Sequence, residues 1–467
     1  MISAPLRIAL LSYRSKPHSG GQGIYVRHLP RELAALGHHV EVFSGPPLPE
    51  LDEGVGLTVL PSLDLYREPD PFRTPRREEF TSAVDVLEWA AMCTGAFPEP
   101  LTFSLRAWLH LKNRLGDFDV IHDNQCLGYG LLPLGRLGTP LVATIHHPIT
   151  VDRDLELAAA PDWKRRASLR RWYAFTRMQG RVARRLPWLT TVSAASRNEI
   201  VEAFGVSPNQ LNVIAVGVDT DTFRPTARSA KASTDPAEAP DGRPATTAEE
   251  ATTAEKADTA EKAEAAEKTG KAGRDRIVSV ASADVPLKGL PELIEAVAKL
   301  RAERDVELVV VGSARPDGPA AQSITRLGLG DAVRFVSGIS DAELADLFRS
   351  ATVAAVPSRY EGFSLPAVEA MSCGVPLVVT TAGALPEVAG PDGLASLHVP
   401  PGDAGALAAA IGRLLDDPEL RRRLGAEGRA RVVEHFTWRR TAIRTAEWYA
   451  QAIAEHRGST REVDRQC

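Results

Sequence analysis

The stretch Pro357–Glu369 reads PSRYEGFSLPAVE and spans the join between a predicted strand and a predicted helix. The apolar run Val353 to Pro357 leads into it, and the helix is predicted to begin near Leu365 with Ser364 as its N-cap. Pro366 is tolerated in a first turn, because the amides there have no intrahelical partner. Those free amides and the positive end of the helix favour a bound anion. The stretch therefore predicts a strand–loop–helix unit with a site suited to a diphosphate at its join.

The same alternation of apolar runs and helical patterns extends over both halves of the chain. Runs that are apolar throughout are typical of parallel strands covered on both faces. We therefore predict an α/β protein with two doubly wound domains, residues 1–218 and residues 219–225 with 276–440, followed by a C-terminal helix and tail at 441–467. The predicted strands are Arg7 to Tyr13, Val40 to Ser44, Val120 to His122, Leu141 to His146, Leu189 to Val192, Ile277 to Ala281, Leu308 to Gly312, Val333 to Val336, Val353 to Pro357 and Leu377 to Thr380.

Residues 226–275 are predicted to be a disordered insertion rich in Ala, Glu and Lys. The segment contains no Val, Ile, Leu, Met, Phe, Tyr, Trp or Cys, so it cannot bury enough apolar area to offset the entropy cost of ordering. We interpret it as a solvated linker, with a docking site for a partner as the alternative.

Composition and charge exclude several classes of protein. Hydrophobic residues make up 44% and charged residues 25% of the 467, as in ordinary folded domains, and the net charge of −5 argues against a nucleic-acid partner. The four scattered cysteines form no CxxC pair, which argues against zinc and is typical of reduced thiols. The run Leu6 to Leu11 is too short for a signal peptide, and no stretch approaches the roughly 18 apolar residues of a membrane span. We expect a cytoplasmic protein.

Three charged residues stand at predicted anion sites. Glu361 precedes the helix and Glu369 lies about one turn inside it, so both can line one pocket and accept hydrogen bonds from hydroxyl groups. Lys288, in the run PLKGLP at 286–291, stands before another predicted helix, where a lysine beside free amides can hold phosphate. Alone, each could be an ordinary solvated residue. Two such sites in one domain favour a phosphorylated ligand.

Taken together, the motifs resemble those of the family 4 glycosyltransferases over nearly the whole chain outside the insertion. Besides Glu361 and Glu369, the resemblance rests on Ser19–Gly23, Thr144–His146, Val216–Asp219 with Phe223, Lys288–Gly289 and Gly383–Glu387. It implies the GT-B fold, in which an acceptor-side Rossmann-like domain and a nucleotide-sugar-binding one face a cleft. It also implies metal-independent, retaining transfer of a hexose-type sugar, as in actinobacterial phosphatidylinositol mannosyltransferases and mycothiol-type glycosyltransferases. The expected donor is a nucleotide diphosphate sugar, UDP ahead of GDP, without a separate cofactor; the acceptor is an unidentified lipid, glycan or small molecule.

The resemblance also implies a role for each site residue. Glu361 would bind hydroxyls of the transferred sugar, His146 would contact that sugar, and Lys288 would hold the diphosphate; these are the expected catalytic residues. No metal is expected, and Asp219-Thr220-Asp221 is assigned to an interdomain segment in spite of its Asp-x-Asp spelling. The expected donor-binding residues, besides Lys288, are Gly20, Gly21, Gly362, Phe363, Ser364, Leu365 and, on the ribose, Glu369.

One departure from the family pattern concerns a second diphosphate cation. Members usually carry an arginine five or six residues before the lysine, where this chain has Ala283 and Ser282. Arg359 or Arg14 could compensate. The alternatives to a transferase are a sugar-nucleotide epimerase of the same architecture and a non-catalytic scaffold that binds nucleotide sugar.

The segment 163–185 contains nine Lys or Arg residues and no acidic residue. Its pattern is helical, and Trp163, Trp172, Tyr173 and Phe175 could serve as interfacial anchors. The segment predicts peripheral docking on an anionic membrane surface. The alternative is that the aromatic residues face the domain core and the acceptor is a soluble phosphorylated or small molecule.

Overall fold

The computed structural model describes residues 4–16, 21–136, 138–226, 274–281 and 285–466. Gly20, Ser282, Ala283 and nearly all of the predicted insertion lie outside these ranges. Within them the chain forms two parallel sheets flanked by helices, which confirms the predicted fold class.

The first sheet contains strands from the first half of the chain. The strand order is β3-β2-β1-β4-β5-β6-β7, and every pairing is parallel. Its strands are β1 (Arg7–Ser12), β2 (His39–Ser44), β3 (Gly56–Val59), β4 (Val120–Asn124), β5 (Leu141–Thr144), β6 (Trp188–Thr191) and β7 (Leu211–Val213). Its helices are α1 (Gly21–Ala35), α2 (Ala83–Cys93), α3 (Glu99–Leu111), α4 (Leu131–Leu134), α5 (Thr150–Ala159), α6 (Trp163–Trp172), α7 (Phe175–Ala183) and α8 (Ala194–Phe204).

A second parallel sheet, again flanked by helices, follows after residue 274. Its strands are β8 (Asp275–Val280), β9 (Val306–Val311), β10 (Val333–Val336), β11 (Val353–Val356), β12 (Leu377–Thr380) and β13 (Ser396–Val399), in the order β10-β9-β8-β11-β12-β13. Its helices are α9 (Leu290–Arg301), α10 (Pro319–Leu327), α11 (Asp341–Arg349), α12 (Leu365–Ser372), α13 (Leu385–Ala389), α14 (Ala404–Asp416) and α15 (Pro418–His435). In open sheets of this kind, ligands bind beyond the carboxyl ends of the strands, where the strand order reverses.

The last helix, α16 (Trp438–Gln466), returns to the first domain. The fully buried Tyr449 places its hydroxyl 2.5 Å from Nδ1 of His122, and Trp438 stacks on His28 with ring centroids 5.1 Å apart. A Cβ at Gly217 would lie 2.2 Å from the Trp438 nitrogen, so the crossing requires glycine there. None of the described helices combines the length and apolarity needed to cross a bilayer.

The structure corrects the prediction for the segment 163–185. Two helices, α6 and α7, occupy it, and three of the four aromatic residues face the protein: Tyr173 is buried and donates to Glu156 at 2.8 Å, while Trp172 and Phe175 each pack on Phe97 with centroids 5.3 Å apart. The expectation of four interfacial anchors is therefore wrong, because these rings complete an aromatic cluster of the domain. Trp163 is 73% exposed, and all nine cations lie on the surface.

Candidate active site

Lys288 and Glu361 come together because two loops at the carboxyl ends of β8 and β11 pack against each other. The Arg359 amide donates to the Leu287 carbonyl at 2.7 Å. Gly289 has φ +63°, and a Cβ there would lie 2.0 Å from the Pro357 carbonyl oxygen. This close approach requires glycine and places the lysine of one loop beside the glutamate of the other.

The Glu361 carboxylate is buried and partly engaged. Its Oε1 accepts hydrogen bonds from Lys288 Nζ at 2.8 Å and from Ser358 Oγ at 2.7 Å. Its Oε2 receives no hydrogen bond from the described residues and is left for a ligand hydroxyl group. The pair thus presents a cation for an anionic ligand next to an acceptor for hydroxyl groups.

Four successive amides follow Glu361. The N–H groups of Gly362, Phe363, Ser364 and Leu365 find no acceptor in the described part of the chain. Together with the N-terminal end of α12 they form a cluster of donors suited to a diphosphate.

Ser364 occupies the N-cap position that the sequence predicted, directly before Leu365, but it does not cap the helix with its side chain. Capping residues adopt an extended backbone, whereas Ser364 is left-handed with φ +84° and ψ +82°, and its side chain makes no capping hydrogen bond. Its Oγ is buried without a hydrogen-bond partner. A strained backbone and an unused hydroxyl at this point are typical of a binding site.

Glu369 lies on α12, half-buried, one turn inside the helix. Burial, reinforced by the negative charge of Asp341, raises the pKa of its carboxyl from 4.5 to about 8. No described side chain donates to it.

His146 follows β5 on the opposite side of the cleft and is buried. Its Nε2 lies 2.8 Å from Asn124 Oδ1, and its ring meets Tyr25 edge-on at 4.9 Å. Burial, with smaller effects of His147 and His122, lowers its pKa to about 3. The imidazole is therefore neutral and donates from Nε2, which leaves Nδ1 as an acceptor. His147 is more exposed and lies 3.5 Å from Asp152.

Two residues that the sequence analysis missed hold His146 in place. Asn124 Oδ1 accepts a hydrogen bond from the His146 Nε2–H, and Gln125 accepts one from the His146 amide at 2.7 Å while donating to the His147 carbonyl at 3.0 Å. Gln125 has φ +57°. Asn124 ends β4 and Gln125 directly follows it, and this position at the carboxyl end of a strand where the sheet order reverses is a signal that could have identified both.

The other residues singled out in the sequence have the following structural surroundings. Gly21 begins α1, and the Asp219 carboxylate accepts from the amides of Asp221 and Thr222, so it stabilises a turn. The two candidate compensating cations are already paired, Arg359 with Glu292 and Arg14 with Glu99. Within the described ranges, no three His, Cys, Asp or Glu side chains come together as a metal site requires.

Comparisons with known proteins agree with this geometry. The family described as Glycosyltransferase Family 4 matches residues 19–222, and Glycosyl transferases group 1 matches residues 261–431. The MMP alpha-(1->4)-mannosyltransferase of Mycolicibacterium hassiacum is 54% identical over 96% of this chain and 99% of its own. The D-inositol 3-phosphate glycosyltransferase of Streptomyces griseus is 29% identical over 98% and 91%. The solved structure of sucrose-phosphate synthase from Thermosynechococcus elongatus superimposes with a TM-score of 0.67 at 24% identity, over 96% of this chain and 100% of that one.

The two facing parallel sheets and the loops between them thus define a GT-B enzyme of the transferase class. The high identity over almost the full length carries the assignment further: the chain belongs to the family 4 glycosyltransferases. The epimerase and the scaffold that the sequence left open find no support among these relatives, whereas a glycosyltransferase does.

The raised pKa of Glu369 leads to a prediction about pH. Affinity for a nucleoside diphosphate is expected to rise between about pH 7 and about pH 9, because the ionised carboxylate accepts more hydrogen bonds from ribose hydroxyls than the protonated one. Calorimetric titration at several pH values measures this, and Glu369→Gln should flatten the profile. An equal rise in that variant would assign the effect to another group.

The same shift fixes the sign of a stability effect. The folded-state pKa lies above the unfolded value, so folding favours the protonated carboxyl, and this contribution to stability is lost progressively as the pH rises from about 4.5 to about 8. Glu369→Gln should therefore weaken the fall in the free energy of unfolding over that range.

Proposed function

We propose that the enzyme transfers an α-mannosyl residue from a nucleoside diphosphate to the 4-hydroxyl group of a sugar acceptor. The observation that carries this proposal is the 54% identity to a relative named as an α-(1→4)-mannosyltransferase, in a chain whose cleft holds the Lys288–Glu361 pair and a neutral His146.

In this proposal, groups of the cleft act on the donor during a retaining transfer. Lys288 and the four free amides stabilise the diphosphate as the bond between the anomeric carbon and the phosphate oxygen breaks. Glu361 holds hydroxyls of the sugar, and His146 contacts it across the cleft without carrying charge. The acceptor oxygen attacks from the face of the leaving group, and its proton passes to the departing phosphate oxygen.

Incubation of the purified enzyme with GDP-mannose, UDP-mannose and UDP-glucose, each with a mannose disaccharide, tests the proposal. The expected product is an α-(1→4)-linked mannoside, identified by NMR, at a rate that EDTA does not change. Among these donors, a UDP-sugar remains predicted ahead of a GDP-sugar. Transfer of a different sugar, or a β-linked product, would contradict the proposal.

The exposed cations of residues 163–185 support a further proposal, that this surface approaches anionic lipid. Each cation near an anionic membrane surface contributes an attraction of about 1 kcal/mol. The exposed Trp163 would serve as the aromatic anchor. Arg166, Arg170 and Arg177 are suitable for charge reversal, because their side chains form no hydrogen bond or ion pair with described residues.

Vesicle sedimentation measures this attraction. Binding to anionic but not zwitterionic vesicles is expected, with loss at high salt and on replacing those three arginines by glutamate. No binding to anionic vesicles at low salt would leave a soluble acceptor as the explanation for the basic surface.

A further inference from the structure

The two domains are in contact at the first turn of α8, where two serine hydroxyl groups of the acceptor-side domain donate hydrogen bonds to one backbone carbonyl of the other domain. Ser193 Oγ lies 2.6 Å and Ser196 Oγ 3.0 Å from the Gly362 carbonyl oxygen. Both serines are buried, with 1% and 0% of their surface exposed. The carbonyl belongs to the residue that directly follows Glu361.

Because the peptide group is planar, these two hydrogen bonds also affect the donor site. In a trans peptide the carbonyl and the following N–H point in opposite directions. Holding the Gly362 carbonyl against α8 therefore directs the Phe363 N–H, the second of the four free amides, away from α8. A Cβ on Gly362 would lie 3.1 Å from Ser196 Oγ and 3.4 Å from the His147 Cβ, so a larger residue could not reach this position undisturbed.

A second contact joins the same two regions. The Ala194 amide, at the positive end of α8, donates to both carboxylate oxygens of Glu387, at 3.0 and 2.8 Å. Glu387 lies on α13, just after Ala384, whose amide donates to the Glu361 carbonyl at 2.9 Å. Helix α8 thus contacts the loop that carries Glu361 directly and also through the helix on which that loop rests.

We propose that Ser193 and Ser196 are positioning residues of the donor site: the acceptor-side domain supplies the hydrogen bonds that orient the Gly362–Phe363 peptide. The donor site is complete when the two domains are closed on each other. This inference rests on the proposed function for its substrate and extends it by assigning donor-site residues to the opposite domain.

The test compares Ser196→Ala, Ser193→Ala and the double variant by steady-state kinetics. Each lost hydrogen bond is expected to lower kcat/KM for the donor about fivefold to tenfold, and the double variant at least about thirtyfold. The KM for the acceptor should stay within about twofold, because the affected loop binds the donor. Parental donor kinetics in the double variant would overturn the proposal, as would a loss confined to the acceptor KM.

A matched control separates positioning from stability. Ser193 also caps α8, since its Oγ accepts from the Ser196 amide at 2.9 Å. Ser82→Ala removes a serine cap of the same kind, on α2, where Oγ accepts from the Asp85 amide at 3.3 Å. That variant should lose comparable stability and keep parental kinetics; equal kinetic losses in the two caps would contradict a positioning role for Ser193.

Calorimetric titration with UDP and with GDP tests the positioning role without depending on which sugar is transferred or which acceptor is used. If the parental enzyme transfers no mannose but the double variant still binds the better nucleotide about tenfold more weakly, the proposed function fails and the positioning role stands. Equal nucleotide affinity in the parental enzyme and the double variant would refute the positioning role, whatever sugar is transferred.

Discussion

Glu361→Gln is expected to lower kcat at least about a hundredfold, the scale on which a preorganised charge contact contributes to catalysis. The carboxylate is buried between Lys288 and Ser358, so glutamine keeps the shape but removes the charge that orients both donors. Lys288→Ala should cause a loss of similar size, because it removes the cation and leaves the buried carboxylate with Ser358 as its remaining described donor. Steady-state kinetics at saturating donor measures both variants.

Glu307→Gln is the matched control for these variants. Glu307 pairs with Arg276 at 2.5 Å on strands of the same domain, so its replacement breaks a close ion pair away from the cleft. It should leave kcat at the parental value. Parental turnover in both Glu361→Gln and Lys288→Ala would show that the site has been placed wrongly.

Gly383→Ala is expected to reduce kcat by about a hundredfold or more, because a misplacement of about 1 Å in a catalytic group has effects of that size. Gly383 has φ +56°, and a Cβ there would lie 2.2 Å from the Glu361 carbonyl oxygen. The new methyl group must push the Glu361 backbone away from the turn on which it rests.

Gly328→Ala separates that displacement from the cost of backbone strain. Gly328 has φ +67° at the end of α10, but no atom lies within 4 Å of its added Cβ. Both variants therefore carry the left-handed penalty of about 1–2 kcal/mol, and one of them moves Glu361. Thermal denaturation and kcat are measured for each; parental kcat in Gly383→Ala would refute the dependence of Glu361 on this turn.

The fold could be predicted wherever burial leaves a continuous apolar run. Leu377–Thr380, buried along its whole length, was predicted with the ends that the structure shows. Val333–Val336 was also predicted with its observed ends, although Arg334 interrupts it and its residues are half-buried or exposed. Strand β3 was not predicted, because Gly56–Val59 lies largely exposed at the sheet edge and gains its conformation from pairing with β2. The three residues of β7 are too few to form a pattern.

In the candidate site, too, some features could be predicted from the sequence and others could not. Lys288 and Glu361 are 73 positions apart, yet each follows a strand of the same sheet, so their proximity follows from topology. The N-cap position of Ser364 was predicted correctly, but its left-handed backbone and the missing capping hydrogen bond could not be deduced from the residue type. The contact of Ser193 with Gly362 depends on how two domains face each other, which no local pattern encodes.

The return of α16 to the first domain also determines how the cleft can open. The chain crosses between domains near Val218 and again near Thr437, and these two crossings pair as a parallel bridge, with the Val218 amide donating to the Phe436 carbonyl at 2.8 Å. The two crossings lie side by side and are joined by this hydrogen bond, so both connections between the domains lie at one point, which favours rotation about that point over separation of the domains. Opening of the domains about this point would withdraw the two serines of α8 from the Gly362 carbonyl and leave the donor loop without its hydroxyl contacts.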